Sequence, residues 1–239
     1  MNKMLKKDTF NYPGLDIPYE LKEIRGKNVS ITVYPNNRVV VRHPRRVSKS
    51  FLQNFMEERK TWVWDQYKKN KANNPQKTNF KNGEILPIFG QNRKIKWFEE
   101  KESKLIDTEI IFSNKGFRSQ KGKENKAKSF LKQILLEEIT PIVDKTASKL
   151  NTKKYTVKVR TMKSLWGSCS PDNDLTFNLG LVHCPDFVIK YVVIHEVSHT
   201  KEHNHSNKFW EIVNKLDPEY VKAEKWIKTN GPKMLCYLN

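Results

Sequence analysis

Residues 187–199 read FVIKYVVIHEVSH, an apolar run that ends in two histidines and a glutamate. No other stretch narrows the fold of this chain as much. A run of this kind fits a helix buried in a core, and the burial then extends to His195, Glu196 and His199. Residues four apart share one helix face, so the two imidazoles stand a turn apart with Glu196 beside the first. Polar groups buried without partners are costly. A shared cation satisfies these three together, since HExxH spacing lets each imidazole bring a nitrogen to one ion at ~2.0–2.1 Å. The competing reading is a solvent-facing helix whose histidines bind nothing; the apolar run before them weighs against it.

A catalytic zinc site needs a third protein ligand and leaves one position for water. Downstream candidates are Glu202, His203, His205 and Glu211. His205 completes HExxHxxxxxH, the metzincin spacing, although metzincins carry glycine where this chain has Glu202. Asn204 can adopt the left-handed conformation such a turn needs. Glu211 would be the gluzincin-style choice, and His203 is expected to face solvent. His205 is favoured, with Glu211 left open. Glu196 is then the residue placed to take a proton from water, which suits hydrolysis of a peptide or of a phosphoanhydride alike.

The chain has 239 residues and a formal net charge of +19. Such a surface attracts polyanions, nucleotides and nucleic acid among them, but the lysines are spread rather than gathered into one arm. Three cysteines, Cys169, Cys184 and Cys236, with no CxxC, fit neither a disulfide framework nor a cysteine zinc knuckle. No apolar core follows the basic N-terminus and no run is long enough to span a bilayer, so a cytoplasmic protein without membrane contact is expected.

The pattern predicts an α+β chain: a β-rich region over 1–115, then a catalytic region over 116–239 with a small sheet and the HExxH helix. VSITVYP and RVVVRHP should pair as a hairpin around Asn36-Asn37. One helix is expected from Ser48 as N-cap to the Asn-Asn-Pro at 73–75, with Phe51, Phe55, Trp62 and Tyr67 inward. Strand candidates follow at EILPIFG, RKIKWFE and LIDTEIIF, and the composition shifts near 113–125. A long helix from about 124 to 150 should be kinked or divided by Pro141. YTVKVRTM reads as a strand, LWGSCSPDNDLTFN as two strands about a turn at Pro171-Asp172-Asn173. The HExxH helix should be N-capped by Asp186, and two more helices should cover 206–216 and 218–228.

The elements R160-TMKSLWGSCS, N178-LGLVHCP and YVVIHEVSHTKEHNHSNKFW together resemble the YgjP-like metallohydrolases, relatives of the SprT-like and WLM minimal zincins. The match covers most of the last 120 residues, at Arg160, Trp166 to Cys169, Asn178, Leu181, Tyr191, His205, Ser206, Phe209 and Trp210. The resemblance implies a zincin-like region, one zinc ion on His195, His199 and His205, and Glu196 as catalytic acid and base. It also implies either of two activities: release of pyrophosphate from nucleoside triphosphates such as uridine triphosphate, or peptidase action, in SprT-like relatives near DNA.

Four further residues are candidates for substrate binding: Arg160, Trp166, Ser168 and Asn178. Arg160 could grip a phosphate, an edge strand through Trp166 and Ser168 could pair with an extended peptide, and Asn178 could line the cleft. The structural alternatives are Trp166 as core, Gly167 as a bulge and Arg160 in an ion pair. Cys169 reads as a small buried thiol, and Phe209 and Trp210 as packing under the metal. The expected function is a zinc hydrolase, with nucleoside triphosphate pyrophosphatase ahead of peptidase. A basic nucleic-acid-binding protein with a structural metal site is the reading from another class.

Overall fold

Alternating apolar residues pair VSITVYP with RVVVRHP as expected: β3 (Ser30–Val33) and β4 (Val39–Pro44) are antiparallel, Val33 opposite Val39. Asn37 takes φ +62° in the turn, a conformation asparagine tolerates better than most residues; Asn36 lies outside the described residues. The computed structural model describes residues 7–12, 15–34, 37–73, 77–99, 101–116 and 119–238. Two strands not foreseen from the sequence, β1 (Lys7–Tyr12) and β2 (Leu15–Ile24), complete a sheet of order β1-β2-β4-β3. Ser48 caps its helix through a bond from the Phe51 amide at 3.2 Å. The single helix expected there is two, α1 (Lys49–Glu58) and α2 (Lys60–Asn73), parted at Arg59, whose φ of −99° lies outside helical geometry. Val63 of α2 is buried with Ile17, Tyr19, Val39 and Val41. Phe51 and Trp62, expected inward, stay exposed.

Contacts divide the chain into residues 1–75 and 76–239, not at the 115/116 junction expected from composition. The reason is the core. β5 (Ile85–Ile88), β6 (Gln91–Phe98), β7 (Lys104–Leu105) and β8 (Glu109–Ser113) form a sheet of order β5-β6-β8-β7. Its Leu86, Ile95, Ile110 and Phe112 share one apolar cluster with Leu131, Leu135 and Val143 of α3 (Gln120–Lys149). Composition changes at 113–125, whereas burial does not. Helix α3 is continuous through Pro141, so of the expected kink or division the division does not occur. Pro141 sits on the exposed face while Ile139 and Val143 on either side are fully buried, so packing outweighs the missing bond.

A second small sheet has order β10-β11-β9, from β9 (Thr156–Arg160), β10 (Gly167–Cys169) and β11 (Asp174–Asn178). Strands β10 and β11 are antiparallel about a turn in which Asn173 has φ +64°; β9 runs parallel to β11. A 3-10 turn, Leu179–His183, leads into α4 (Asp186–Ser198). The N-cap position of α4 is Pro185, with Asp186 in the first turn, so the expected cap by Asp186 is displaced by one residue; an acidic first turn still complements the helix dipole. Gly90, at φ +75°, packs where a Cβ would lie 3.0 Å from the Pro185 Cα, so the β5–β6 turn abuts the entry to α4. Helices α5 (Asn207–Leu216), capped by Ser206, and α6 (Tyr220–Cys236) close this unit. Helix α6 runs eight residues past its expected end at Lys228. Among the described residues no helix is long and apolar enough to cross a membrane.

Candidate active site

Helix α4 is buried almost all round, including Tyr191 and Glu196, as the apolar run requires, and its C-cap His199 is buried too. His195 lies in its last turn and His199 is its C-cap. His205 follows from the loop before α5. The three rings stand about a common point: centroids are 5.0 Å apart for His195–His199, 5.0 Å for His195–His205 and 4.8 Å for His199–His205. Their potential ligand atoms all lie within 4.8 Å of one another. Of the four third-ligand candidates, His205 alone joins this group among the described residues; His203 is exposed beside the cleft and Glu211 is exposed on α5.

The loop reaches His205 without the left-handed asparagine expected for it. Asn204 is absent from the residues with positive φ, and the chain leaves α4 through tight bonds, Thr200 N–H to Val197 O at 3.0 Å and Lys201 N–H to Ser198 O at 3.0 Å. In that turn the Glu202 carbonyl accepts from His199 Nδ1 at 2.9 Å. The glutamate standing at the metzincin glycine position thus contributes its backbone, orienting His199 with Nε2 free.

Burial holds His195 neutral, its pKa lowered to about 3, with the neighbouring imidazoles of His199 and His205 pushing the same way. His195 Nε2 and His205 Nε2 lie 3.0 Å apart. Neutral imidazole nitrogens converging on one point are the donor set zinc takes, so the residues fit a resident metal. Burial raises the Glu196 carboxyl to about 8, in the range where a carboxyl group serves as proton acceptor and donor near neutral pH.

Phe209 supports the triad from beneath, fully buried, its ring 4.9, 4.4 and 4.8 Å from those of His195, His199 and His205. Trp210 flanks His195 and His205 at 5.9 and 5.8 Å. On the other side Gly167 of β10 is in register with Phe177 rather than bulged. A Cβ there would lie 2.5 Å from Glu196 Cγ and 2.7 Å from its Oε1. Glycine is required because the Glu196 side chain occupies the space.

The triad and Glu196 open onto a cleft of about 860 Å³, whose walls include Trp166, Gly167, Ser168 and Cys169 from β10 and its approach, and Val221, Ile227 and Lys228 from α6. Trp166 and Ser168, predicted for substrate binding, are thus in the cleft. Arg160 and Asn178 are not among the residues that line it. Arg160 is exposed on β9, the far strand of its sheet. Asn178 is 1% exposed and organises the 162–166 loop: its Nδ2 donates to Met162 O at 2.8 Å and Leu165 O at 2.6 Å, and its Oδ1 accepts from the Gly180 amide at 3.0 Å. Burial, aided by the Glu196 carboxylate, raises the Cys169 thiol to about 11, leaving it protonated and unreactive. Two residues were missed by the sequence reading as site members: Tyr191, four before His195 and therefore on its face, and Glu224 of α6, which no spacing rule connects to the motif.

A family model described as YgjP-like, metallopeptidase domain, matches residues 27–230. The solved metallopeptidase zymogens abylysin of Pyrococcus abyssi and jannalysin of Methanocaldococcus jannaschii are similar at 22% and 24% identity, each with a TM-score of 0.36. The first match covers 38% of this chain and 93% of abylysin, the second 39% and 89% of jannalysin. No curated protein matches the chain. Matched over most of its length by that model, the chain belongs to the YgjP-like metallopeptidase-domain family and is a metallohydrolase.

Proposed function

We propose that this protein is a zinc peptidase in which His195, His199 and His205 hold the metal, Glu196 moves the proton and β10 holds the substrate by its backbone. The observation that carries the peptide reading is the free edge of β10. Among the described residues this strand pairs with β11 alone and ends the sheet. Bonds from Asn178 N–H to Trp166 O at 2.8 Å and from Ser170 N–H to Asp174 O at 3.0 Å set the phase of the ladder. Trp166, Ser168 and Ser170 therefore face β11, and antiparallel alternation leaves the N–H and C=O of Gly167 and Cys169 for the open edge. An extended peptide can add there as a further strand, alongside Glu196. A zinc ion, when bound, supplies Lewis acidity and a water acidic enough to ionise near neutral pH. Glu196 accepts the proton of the attacking water and returns it to the leaving amine. Phe209 and the Glu202 carbonyl keep the imidazoles in place.

Nucleoside triphosphate hydrolysis is the second reading. Lys225 and Lys228 on the cleft wall favour it, while Arg160, the residue predicted to grip phosphate, lies away from the cleft. One panel decides: the zinc-loaded protein is assayed against unfolded polypeptide and against uridine triphosphate. Peptide-bond cleavage without pyrophosphate release is expected; pyrophosphate release alone reverses the order of the two readings. Glu196→Gln should lower kcat by roughly 10²–10⁴-fold while retaining the metal. A wild-type protein that binds zinc and hydrolyses neither substrate would favour a binding protein with a structural metal.

A further inference from the structure

The proposed metal site receives a contact from α6 that the HExxH motif does not contain. Tyr191 lies one turn before His195 on α4, 5% exposed, its ring edge-on to the imidazole with centroids 5.7 Å apart. Its hydroxyl donates to Glu224 Oε1 at 3.1 Å and stands 3.3 Å from His195 Nδ1. A phenol has one proton, and a carboxylate can only accept. With that proton given to Glu224, the Tyr191 oxygen can engage Nδ1 only as an acceptor. This assigns the His195 tautomer: Nδ1 carries the hydrogen and Nε2, 3.0 Å from His205 Nε2, carries the lone pair. The Tyr191 ring is stacked on Tyr220, centroids 6.3 Å apart, and Tyr220 on Trp210 at 5.4 Å, so the hydroxyl has little freedom to turn away.

We infer that Glu224 and Tyr191 are positioning residues, a serial relay in which α6 orients His195 and raises the basicity of its Nε2 toward the metal. The inference rests on the zinc-ligand reading above. Tyr191 meets the imidazole at Nδ1, the side away from Nε2, and Tyr191 and Glu224 also line the cleft, so the relay is read in zinc affinity rather than in turnover. Outer partners of ligating histidines commonly sustain metal affinity by roughly 10- to 100-fold, and a carboxylate behind the phenol strengthens the phenol as acceptor.

The test measures zinc affinity by chelator competition on the full chain, alongside thermal melting of the metal-free protein. Tyr191→Phe, which keeps the ring, should bind zinc roughly 10- to 100-fold more weakly with its metal-free melting little changed. Glu224→Gln should lose less, because its amide oxygen still accepts from the phenol. The double variant should bind no more weakly than Tyr191→Phe alone, since a serial relay is already cut. Unchanged affinity in Tyr191→Phe, or fully additive losses in the double variant, overturns the relay while leaving the triad intact. If wild type binds no divalent cation, or His199→Ala binds zinc as wild type does, the triad reading fails and the relay with it.

Discussion

Residues 1–75 and residues 76–239 treat polar groups differently. In the first unit, a core of Ile17, Tyr19, Val39, Val41 and Val63 is apolar apart from one phenol, and no polar or charged residue is buried among those described. In the second, Arg93, Asn178, His183, Glu196, His199 and Asp217 are all buried. The first unit carries sixteen Lys and Arg against seven Asp and Glu in 75 residues, the second twenty-nine against nineteen in 164. Charge density is therefore higher where nothing charged is buried. Polar burial persists only where the surroundings compensate it, so the second unit is where chemistry was to be sought, whatever the overall charge suggested about polyanions.

Substitutions should separate the two units most sharply at Phe209. This ring is fully buried and touches all three imidazoles. Phe209→Ala should cost about 4 kcal/mol in urea unfolding and weaken metal binding in the same protein. A loss under ~1 kcal/mol would mean that the triad is not built on this packing.

Acid should act on the second unit through His183. Its Nδ1 meets Pro87 O at 2.7 Å, so that nitrogen carries the hydrogen, and its Nε2 is buried without a hydrogen-bond partner among the described residues. Protonation would place a second N–H where nothing accepts it. Burial lowers its pKa to about 4, against ~6.5 in the unfolded chain. The unfolded state then binds the proton more readily, so stability is present above pH ~6.5 and is lost as pH falls toward 4. The shift corresponds to about 3 kcal/mol at most. Other buried imidazoles titrate in the same direction, so the measurement is the difference between wild type and His183→Asn, whose amide can replace the Nδ1 bond without titrating. Parallel stability curves for the two proteins would remove His183 from the account.

Gly167→Ala tests the contact between β10 and Glu196. The added methyl meets Cγ, Cδ and Oε1 of the buried Glu196 side chain together, so no rotation of the carboxylate alone relieves it. Glu196 has to move by a fraction of an ångström or more, and misplacement on that scale can lower kcat by about 100-fold. Zinc binding should persist, because no ligand is displaced. Full activity in this variant would show that Glu196 tolerates displacement and is not the positioned base.

What could be read in the sequence was what local chemistry decides. The hairpin at Asn37, the cap Ser48, the buried α4 and its HExxH face follow from spacing and composition, and the structure has them. What could not be read was decided by packing between distant segments. Pro141 stays helical because Ile139 and Val143 are both held in the core. The 115/116 junction disappears because Phe112 and Leu131 share one cluster. Asn178, conspicuous beside a motif, is used up by the 162–166 loop, and Glu224 reaches Tyr191 across 33 residues of sequence. The same limit applies to the aromatics of α1 and α2, whose helical spacing predicted a buried stripe that the break at Arg59 divides.

That stripe supplies the smallest expected effect and the finest test of the contrast. Phe51 is 55% exposed and, among the described residues, stacks on its helical neighbour Phe55 alone, centroids 6.4 Å apart, whereas Val41 is fully buried between β2 and β3. Val41→Ala removes two buried carbons and should cost about 2 kcal/mol. Phe51→Ala should stay within ~0.5 kcal/mol, the range for surface positions. Urea unfolding of both variants, followed by hydrogen exchange at the β4 amides, places each effect within residues 1–75. If Phe51→Ala costs as much as Val41→Ala, its ring has a partner beyond Phe55, and the apolar core of this unit is larger than the five buried residues that define it here.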